Sequence, residues 1–361
     1  MSFKLPVYQM PDFNNPQFAG CPNVTVEPVV VKGVAPEGFH ATTIFPEYYK
    51  VNNRWILAGD TRMDCVVVVK GDADLVVKEF RNLNVSDMVV IGRTEDGSEG
   101  IYVHTGGFRS EDRVREAFSF RQSRSRETSY SRDYDTLYEL LRYEKENGYI
   151  LWVMGPAAVF DSDSRRAMVS LIENGYVDVI LGGNALATHD LEAALFGTAL
   201  GQDIYTLDQV PNGHYHHLDA INLARMQGSL EKLVKNHNLK DGIVSACLRN
   251  RIPLVLAGSI RDDGPLPGII ADVYEAQDAM REHTRKATTI IALATQLHSI
   301  ATGNLTPSFR VVNGTIRPLY IYSVDVSEFA VNKLKDRGTL QVTSIVTNVQ
   351  DFLVNLERNL L

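Results

Sequence analysis

The sequence predicts an α/β protein in which a small N-terminal β-rich domain precedes a mainly parallel sheet with helices on both faces. Three observations predict it. A chain of 361 residues is too long for one ordinary hydrophobic core. Its first third contains extended runs separated by turn residues, as β-hairpins do. From residue 134 onward, short apolar runs alternate with stretches of helical periodicity, which favours a parallel sheet.

The β-rich domain is expected over residues 1–120. Turn residues separate extended runs in "YYKVNNRWILAG", where Asn52 and Asn53 form the turn, and in "CVVVVKGDADLVVKEF". The following stretch "SFRQSRSRETSYSRDYD" has little apolar content, so we place a solvated linker at residues 121–133. Its arginines indicate an exposed surface rather than an RNA or phosphoprotein site, because no aromatic stacking platform is interleaved with them.

The second domain is expected over residues 134–361. The helix "DTLYELLRYEKENG" ends at Gly148 before the strand "YILWVMG", and the helix "RRAMVSLIENG" ends at Gly175 before the strand "YVDVILGG". Further strands are predicted at "IPLVLAGS", "TTIIALAT", "LYIYSVDV" and "LQVTSIV". The helices between them include "GIIADVYEAQDAMREHTRKA", and the helix "TNVQDFLVNLERNLL" closes the chain.

Composition and charge favour a small polar ligand. A net charge of -8 provides no general attraction to nucleic acid or anionic lipid. The N-terminus "MSFKLPVYQMPDF" lacks the apolar core of a signal peptide, and no apolar run approaches the length of a membrane span. Cys21, Cys65 and Cys247 are too few and too scattered for a disulfide framework or a cysteine zinc site. We therefore expect a protein of the reducing cytoplasm.

In a parallel sheet, the ligand crevice lies outside the carboxyl ends of the strands, where helix N-termini present N–H groups. Four predicted strand ends offer such loops: "GPAAVFDSDS", "GGNALATHD", the segment 258–264 and "VDVSEF". Asp325 in the last of these either binds ribose hydroxyls or caps a helix that starts near Glu328. Neither G-x-G-x-x-G nor a P-loop occurs. Spacing alone predicts an α/β ligand-binding protein.

Longer motifs carry a family resemblance. The segments "APEGFHATTIFPEYYKVNNRWI", "ENGYVDVILGGNALATHDLE", "VPNGHYHHLDAINLARMQGSLEKLV", "IPLVLAGSIRDDGPLP" and "LATQLHSIATGN" occur in order. Together they resemble the archaeal-type ornithine cyclodeaminase family, which is related to lysine-ketoglutarate reductase/saccharopine dehydrogenase (LOR/SDH) proteins. The resemblance runs from about Gly33 to the C-terminus.

The resemblance implies a β domain followed by a Rossmann-like domain of the deoxyhypusine-synthase type that binds NAD. We also expect a homo-oligomer, a dimer or a tetramer. The implied reaction converts ornithine to proline and ammonia, with a hydride passed to NAD and returned. Members of the family usually begin with a further N-terminal α/β segment, which we expect this chain to lack.

Two motifs depart from the family pattern. After "GPA", where the family carries a His-Thr-Gly-like turn, this chain has "VFDSDSRR", and Asp161 and Asp163 disfavour a pyrophosphate there. The family pattern "EGFYSTTN" is "EGFHATTI" here, with Ile44 at its end. The substrate-binding residues expected from this segment are Glu37, Thr42 and Thr43, provided that the β domain closes over the cofactor.

The segment "GSIRDDGP" suits a diamino acid, because carboxylates bind or deprotonate amines and Arg261 can hold the substrate carboxylate. We assign Asp263 as the base and Asp262 as a positioning group; the alternative is a turn that uses Asp to cap a helix. Cys247 either lines the pocket or is a buried structural thiol.

The cluster "HYHH" contains His214, His216 and His217, which lack matching carboxylate or cysteine spacing, so we expect no metal. Of the three, His214 is expected to face the site as an acid or hydrogen-bond donor. The cofactor-binding residues that we expect are Gly155, Pro156, Gly182, Gly183, Asn184, Ala185, Gly258, Ser259, Ser299, Gly303, Asn304, Asp325, Asp336, Arg337 and Gly338.

Three functions stay open at this point. The first is an NAD-dependent cyclodeaminase acting on ornithine or a related diamino acid. The second is an NAD-dependent amino-acid dehydrogenase or imine reductase, in which the hydride leaves as NADH. The third is a non-catalytic protein that binds NAD or an amino acid. Net accumulation of NADH separates the second from the first, and unaltered substrate beside bound NAD supports the third.

Overall fold

The computed structural model describes residues 3–108, 131–262, 264–326 and 341–361. In the described N-terminal region, two antiparallel sheets have the strand orders β1-β6-β4-β5 and β3-β2-β7. The elements of this region are α1 (Pro16–Ala19), β1 (Thr25–Pro28), β2 (Glu47–Val51), β3 (Arg54–Leu57), β4 (Val66–Lys70), β5 (Asp74–Lys78), β6 (Met88–Ile91) and β7 (Ile101–Val103).

The two hairpins predicted from the sequence are present in this region. Asn52 and Asn53 connect β2 to β3 with φ angles of 49° and 60°, the left-handed conformation that a two-residue hairpin turn requires. Gly71, with φ of 57°, lies in the turn between β4 and β5. Tyr49 and Val67, from different sheets, belong to one buried apolar cluster, so the two sheets share a core.

In the second region, the described strands form a parallel sheet of order β12-β9-β8-β13-β16-β17. Its strands are β8 (Ile150–Met154), β9 (Val179–Gly183), β12 (Leu254–Ala257), β13 (Thr289–Leu293), β16 (Tyr320–Asp325) and β17 (Gln341–Val346). Two hairpins lie outside it: β10 (Thr198–Ala199) with β11 (Gln202–Asp203), and β14 (Phe309–Val312) with β15 (Thr315–Pro318). The chain runs from β8 out to β9 and β12, then returns to β13 on the other side of β8. The strand order therefore reverses between β8 and β13.

Helices pack on both faces of this sheet, which confirms the predicted fold class. Alternate side chains of β8 show it, because Trp152 belongs to the cluster on one face and Val153 to the cluster on the other. The helices of this region are α2 (Ser131–Asn147), α3 (Ser162–Glu173), α4 (Asn184–Phe196), α5 (His216–Gln227), α6 (Leu230–Asn236), α7 (Ile243–Asn250), α8 (Val273–Thr284), α9 (Gln296–Leu305) and α10 (Val349–Leu360).

One predicted boundary differs from the structure. Within the described residues, helix α2 spans Ser131–Asn147, so residues 131–133 of the predicted linker are helical; residues 121–130 lie outside the described ranges. Ser131 and Asp133 are polar, so they gave no apolar periodicity from which to predict a helix. Among the helices that the structure describes, none is long and apolar enough to cross a bilayer.

Charged side chains join the two regions. Arg62 donates to the carbonyl oxygen of Asn304 in α9 and pairs with Glu79, whose carboxylate also lies 2.9 Å from Arg281 in α8. Burial by itself would raise the pKa of Glu79, but the bond and charge of Arg62, with the charge of Arg281, lower it to about 2. This carboxylate is therefore ionised between two arginines from different regions.

Candidate functional site

A cavity of about 930 Å³ opens at the carboxyl edge of the parallel sheet. Its volume lies in the range of small-molecule and cofactor sites. The loops that follow β8, β9, β12 and β13 form its walls, together with parts of α4 and α5. The lining residues are Met154, Gly155, Pro156, Phe160, Gly183, Asn184, Ala185, Leu186, Thr188, His189, Leu200, His217, Leu218, Ile221, Ser259, Arg261, Asp262, Ala294, Thr295, Gln296 and His298.

The floor of the cavity is the point at which the strand order reverses. Gly155 follows β8 and donates its N–H to the carbonyl of Leu293 at 2.8 Å. A Cβ atom on Gly155 would lie 2.1 Å from the carbonyl oxygen of Ala294, so only glycine fits there. Ala294 itself has a φ of 45°, an uncommon conformation for a residue other than glycine. The strained residue Ala294 and the tightly packed Gly155 thus lie together at the position where open α/β sheets bind their ligands.

Two helices begin at the cavity with N–H groups that no side chain caps. Helix α4 starts after Gly183 and α9 starts after Thr295, and neither has a side-chain cap or an acidic residue in its first turn. Helix α3 differs, because Asp161 accepts from the N–H of Ser164 at 2.9 Å and Asp163 lies in its first turn. An anion is therefore favoured at the starts of α4 and α9 and disfavoured at the start of α3.

The loop after β12 folds into a turn closed by a carboxylate. Asp262 accepts from the N–H of Ser259 at 2.8 Å, and Ser259 Oγ accepts from the N–H of Arg261 at 3.2 Å. Arg261 and Asp262 both line the cavity, whereas Asp263 lies outside the described residues. The Asp262 carboxylate thus closes the turn and also lines the cavity.

His298 faces this turn from α9. Its Nδ1 lies 3.2 Å from Thr295 Oγ1. Burial lowers the pKa of His298, while the charge of Asp262 and a bond to the backbone of Ala257 oppose that shift. The ring is therefore neutral at neutral pH.

A second histidine lies on the second turn of α4, with its ring bound to a buried carboxylate. His189 Nδ1 is 2.8 Å from Glu192 Oε2. Glu192 is fully buried and also accepts from Thr198 Oγ1 at 2.9 Å and from the N–H groups of Leu200 and Gly201. Burial would raise the pKa of Glu192, but these hydrogen bonds outweigh it and lower the pKa, so the group is a carboxylate at neutral pH.

The same network reaches one histidine of the "HYHH" cluster. Thr198 has a single hydroxyl proton, which it donates to Glu192, so its oxygen accepts from His216 Nδ1 at 2.8 Å. His216 is thereby anchored, and its neighbour His217 lines the cavity. His214 is exposed and lies outside the cavity wall, which corrects the expectation that it is the member of the cluster facing the site.

Of the two alternatives for Cys247, its position favours the buried structural thiol. Its thiol is fully buried in the apolar cluster on one face of the sheet. Burial, and to a smaller extent the charge of Asp190, raise its pKa to about 12. A thiol with these properties is a structural group.

Six of the expected cofactor-binding residues line the cavity: Gly155, Pro156, Gly183, Asn184, Ala185 and Ser259. Gly182 and Gly258 lie next to the wall without lining it; Ser299 lies in the first turn of α9 and Gly303 and Asn304 lie further along that helix, and none of the three lines the cavity. Asp325 ends β16 and is not part of the wall. Asp336, Arg337 and Gly338 lie outside the described residues.

The expected residues of the β-rich region do not reach the cavity. Glu37 is exposed, Thr42 is buried with its hydroxyl bonded to the carbonyl of Arg62, and Thr43 donates its N–H to Glu47. Thr42 and Thr43 therefore make hydrogen bonds within the β-rich region, and none of the three residues is part of the cavity wall.

Sequence reasoning missed several wall residues, among them Thr188, His189, Thr295, Gln296 and His298. A signal was available for two of them. If α4 starts at Asn184, then Thr188 and His189 lie one turn later on the same helix face.

Comparison with known proteins identifies the family. The family description "Arginine dihydrolase ArgZ-like, C-terminal, Rossmann fold" matches residues 136–356, and the corresponding "first region" matches residues 46–132. The chain is 41% identical over 345 residues to the ornithine cyclodeaminase of Methanopyrus kandleri, covering 93% of this chain and 78% of that protein. The chain belongs to the ornithine cyclodeaminase family. It is also 34% identical over 350 residues to the bifunctional arginine dihydrolase/ornithine cyclodeaminase AgrE of Nostoc, covering 93% of this chain and 46% of AgrE.

Solved structures agree with this family assignment. A conserved LOR/SDH protein of Methanococcus maripaludis matches with a TM-score of 0.83 and 37% identity, over 94% of this chain and 98% of that chain. A ternary complex of AgrE with ornithine and NAD+ matches with a TM-score of 0.57 and 33% identity, over 96% of this chain and 46% of that chain. The family resemblance and the Rossmann-like fold expected from the sequence are thus confirmed.

Proposed function

We propose that this protein is an NAD-dependent cyclodeaminase that converts ornithine, or a closely related diamino acid, to a proline-type imino acid and ammonia. The observation that carries the proposal is the cavity at the strand-order reversal, bordered by two uncapped helix N-termini, in a chain of the ornithine cyclodeaminase family. The AgrE complex with ornithine and NAD+ supports both ligands.

The residues present fit a dinucleotide. The pyrophosphate needs N–H donors without competing carboxylates, and the first turns of α4 and α9 offer them. Glycine at position 183 also leaves room for the His298 ring, since a Cβ there would lie 3.0 Å from it. Asn184 and Gln296 begin the two helices and would hold the pyrophosphate. When bound, NAD would accept a hydride from the substrate and return it within the same turnover.

The chain's own residues would bind the amino acid and move its protons. Arg261 would pair with the substrate carboxylate, and Asp262 would hold an ammonium group. Asp263 remains the proposed base for the α-ammonium. Replacing Asp263 by Asn should lower turnover about a hundredfold and preserve NAD binding. Full activity in that variant would end the assignment.

The test is incubation of the purified protein with NAD and a panel of diamino acids, while ammonia and NADH are followed separately. A cyclodeaminase releases ammonia without net NADH. Stoichiometric accumulation of NADH would instead show a dehydrogenase, and unaltered substrate beside bound NAD would show a binding protein.

A further inference from the structure

The buried pair of His189 and Glu192 has the geometry of a proton-transfer site. The Glu192 carboxylate accepts the Nδ1 proton of His189, which leaves Nε2 as the nitrogen with a free lone pair when the ring is neutral. His189 lines the cavity, and its side chain retains only 10% exposure. Phe160 contacts the ring edge-on, with centroids 5.7 Å apart. The ring is thus held on two sides at the cavity wall.

Glu192 is built to keep this arrangement. Each of its oxygens accepts two hydrogen bonds, from Thr198 and Gly201 on one and from His189 and Leu200 on the other. The carboxylate therefore remains charged inside the protein and stabilises a positive charge on the His189 ring. Burying a charge is costly unless it is fully hydrogen-bonded, so an apolar side chain would fill the place of Glu192 at lower cost. The buried carboxylate therefore points to a role beyond core packing.

The reaction proposed above requires a second proton acceptor. Ornithine carries two ammonium groups, and the distal amine must be neutral before it can attack carbon and close the ring. A lysine-like ammonium has a pKa of about 10.4, so only about one molecule in 10³ is neutral at pH 7. Imidazole is a stronger base than a carboxylate at this pH. The turn at Ser259–Asp262 and the wall that contains His189 lie on different elements of the cavity.

We propose that His189 is a catalytic residue that accepts the proton of the distal ammonium, with Glu192 as its positioning residue. This rests on the proposed function. In the step, an N–H bond of the ammonium breaks, the electron pair stays on the amine, and an Nε2–H bond forms. The imidazolium later gives its proton to the released ammonia, so the ring is neutral for the next turnover.

The first test separates turnover from binding. His189→Gln should lower kcat about a hundredfold, a typical loss for a general base, while NAD affinity and Tm stay near the wild-type values. If His189 acts in ring closure, the first hydride transfer should be unaffected and the later steps should be slow. In a single turnover of His189→Gln, the NADH absorbance should therefore rise at the wild-type rate and decay far more slowly. His237→Gln is the matched control, since His237 is exposed at the end of α6 and should change nothing.

The second test addresses the pair. Added imidazole should restore part of the turnover of His189→Ala. It should restore no turnover in Asp262→Ala, because that variant retains His189. Glu192→Gln removes the negative charge that stabilises the protonated ring, so the acidic limb of the kcat profile, where the base is lost to protonation, should move to lower pH. The other titratable groups near the ring are His217, with centroids 6.2 Å apart, and His216 through Thr198. A merely structural Glu192 would change Tm without moving this limb.

A readout independent of turnover is carbethoxylation of His189 Nε2 by diethyl pyrocarbonate, followed by mass spectrometry. Modification should occur in the free protein and be blocked by ornithine. Unchanged kcat in His189→Gln, or a loss confined to NAD affinity, would overturn the proposal while leaving the proposed function standing. A wild-type protein that releases no ammonia from any diamino acid would overturn both.

Discussion

Placing a negative charge at the start of α4 should weaken NAD binding while the protein itself becomes slightly more stable. Asn184→Asp is nearly isosteric, and the new carboxylate can still accept from the N–H of Leu266, which now bonds to Asn184 Oδ1 at 3.0 Å. A carboxylate in the first helical turn stabilises a helix by about 0.3 to 1 kcal/mol. Opposite signs for stability and affinity are therefore expected from one substitution.

The loss of affinity follows from Coulomb's law. At a separation of about 5.4 Å, one helical pitch, two unit charges repel by about 0.8 kcal/mol at the dielectric constant of water and about 3 kcal/mol at a value of 20. The cavity is partly open, so its effective dielectric lies between these limits. NADH affinity should fall between about fourfold and 150-fold.

The assay is a calorimetric titration with NADH at two salt concentrations, with Tm measured on the free protein. Gln296→Glu makes the same change at the start of α9, and the larger loss identifies the helix nearer the pyrophosphate. Asn348→Asp is the control, because Asn348 caps α10 outside the cavity. Unchanged affinity in both cavity variants, or an equal loss in the control, would refute the placement of the pyrophosphate.

Three further predictions concern stability. Asp190→Asn should lower the free energy of unfolding by about 3 to 5 kcal/mol in urea titrations, because it removes the buried partner 3.0 Å from Arg165 and leaves that charge with only the exposed Asp241; a loss below about 1 kcal/mol would contradict this. Glu79 has a folded pKa of about 2 against an ordinary 4.5, so it stabilises the protein above pH 4.5 and loses that contribution, about 3 kcal/mol at most, as the pH falls to 2. Glu79→Gln should therefore flatten Tm against pH in this window, and an unaltered slope would argue against the ion pairs. Cys247 should resist thiol reagents until the protein unfolds, and Cys247→Ser should reduce Tm but preserve turnover.

Much of the fold was determined by the sequence alone. Apolar runs such as "YILWVMG" and "TTIIALAT" are bounded by turn residues and alternate with helical periodicity, and these local properties specify strands and helices directly. The hairpin at Asn52 and Asn53 follows from the tolerance of Asn for positive φ. The strand-end rule then located the loops at Gly155, Gly183 and Ser259, which do line the cavity.

Only the tertiary structure decided which side chains those loops bring together. Whether Cys247 faces a pocket or the core depends on the rotation of α7 against its neighbours, which local periodicity does not specify. His189 and Glu192 are three residues apart, but their link to Thr198 and His216 depends on how β10 and α5 pack on α4. Long-range packing sets such contacts, because each side chain's direction is known only once its element is placed.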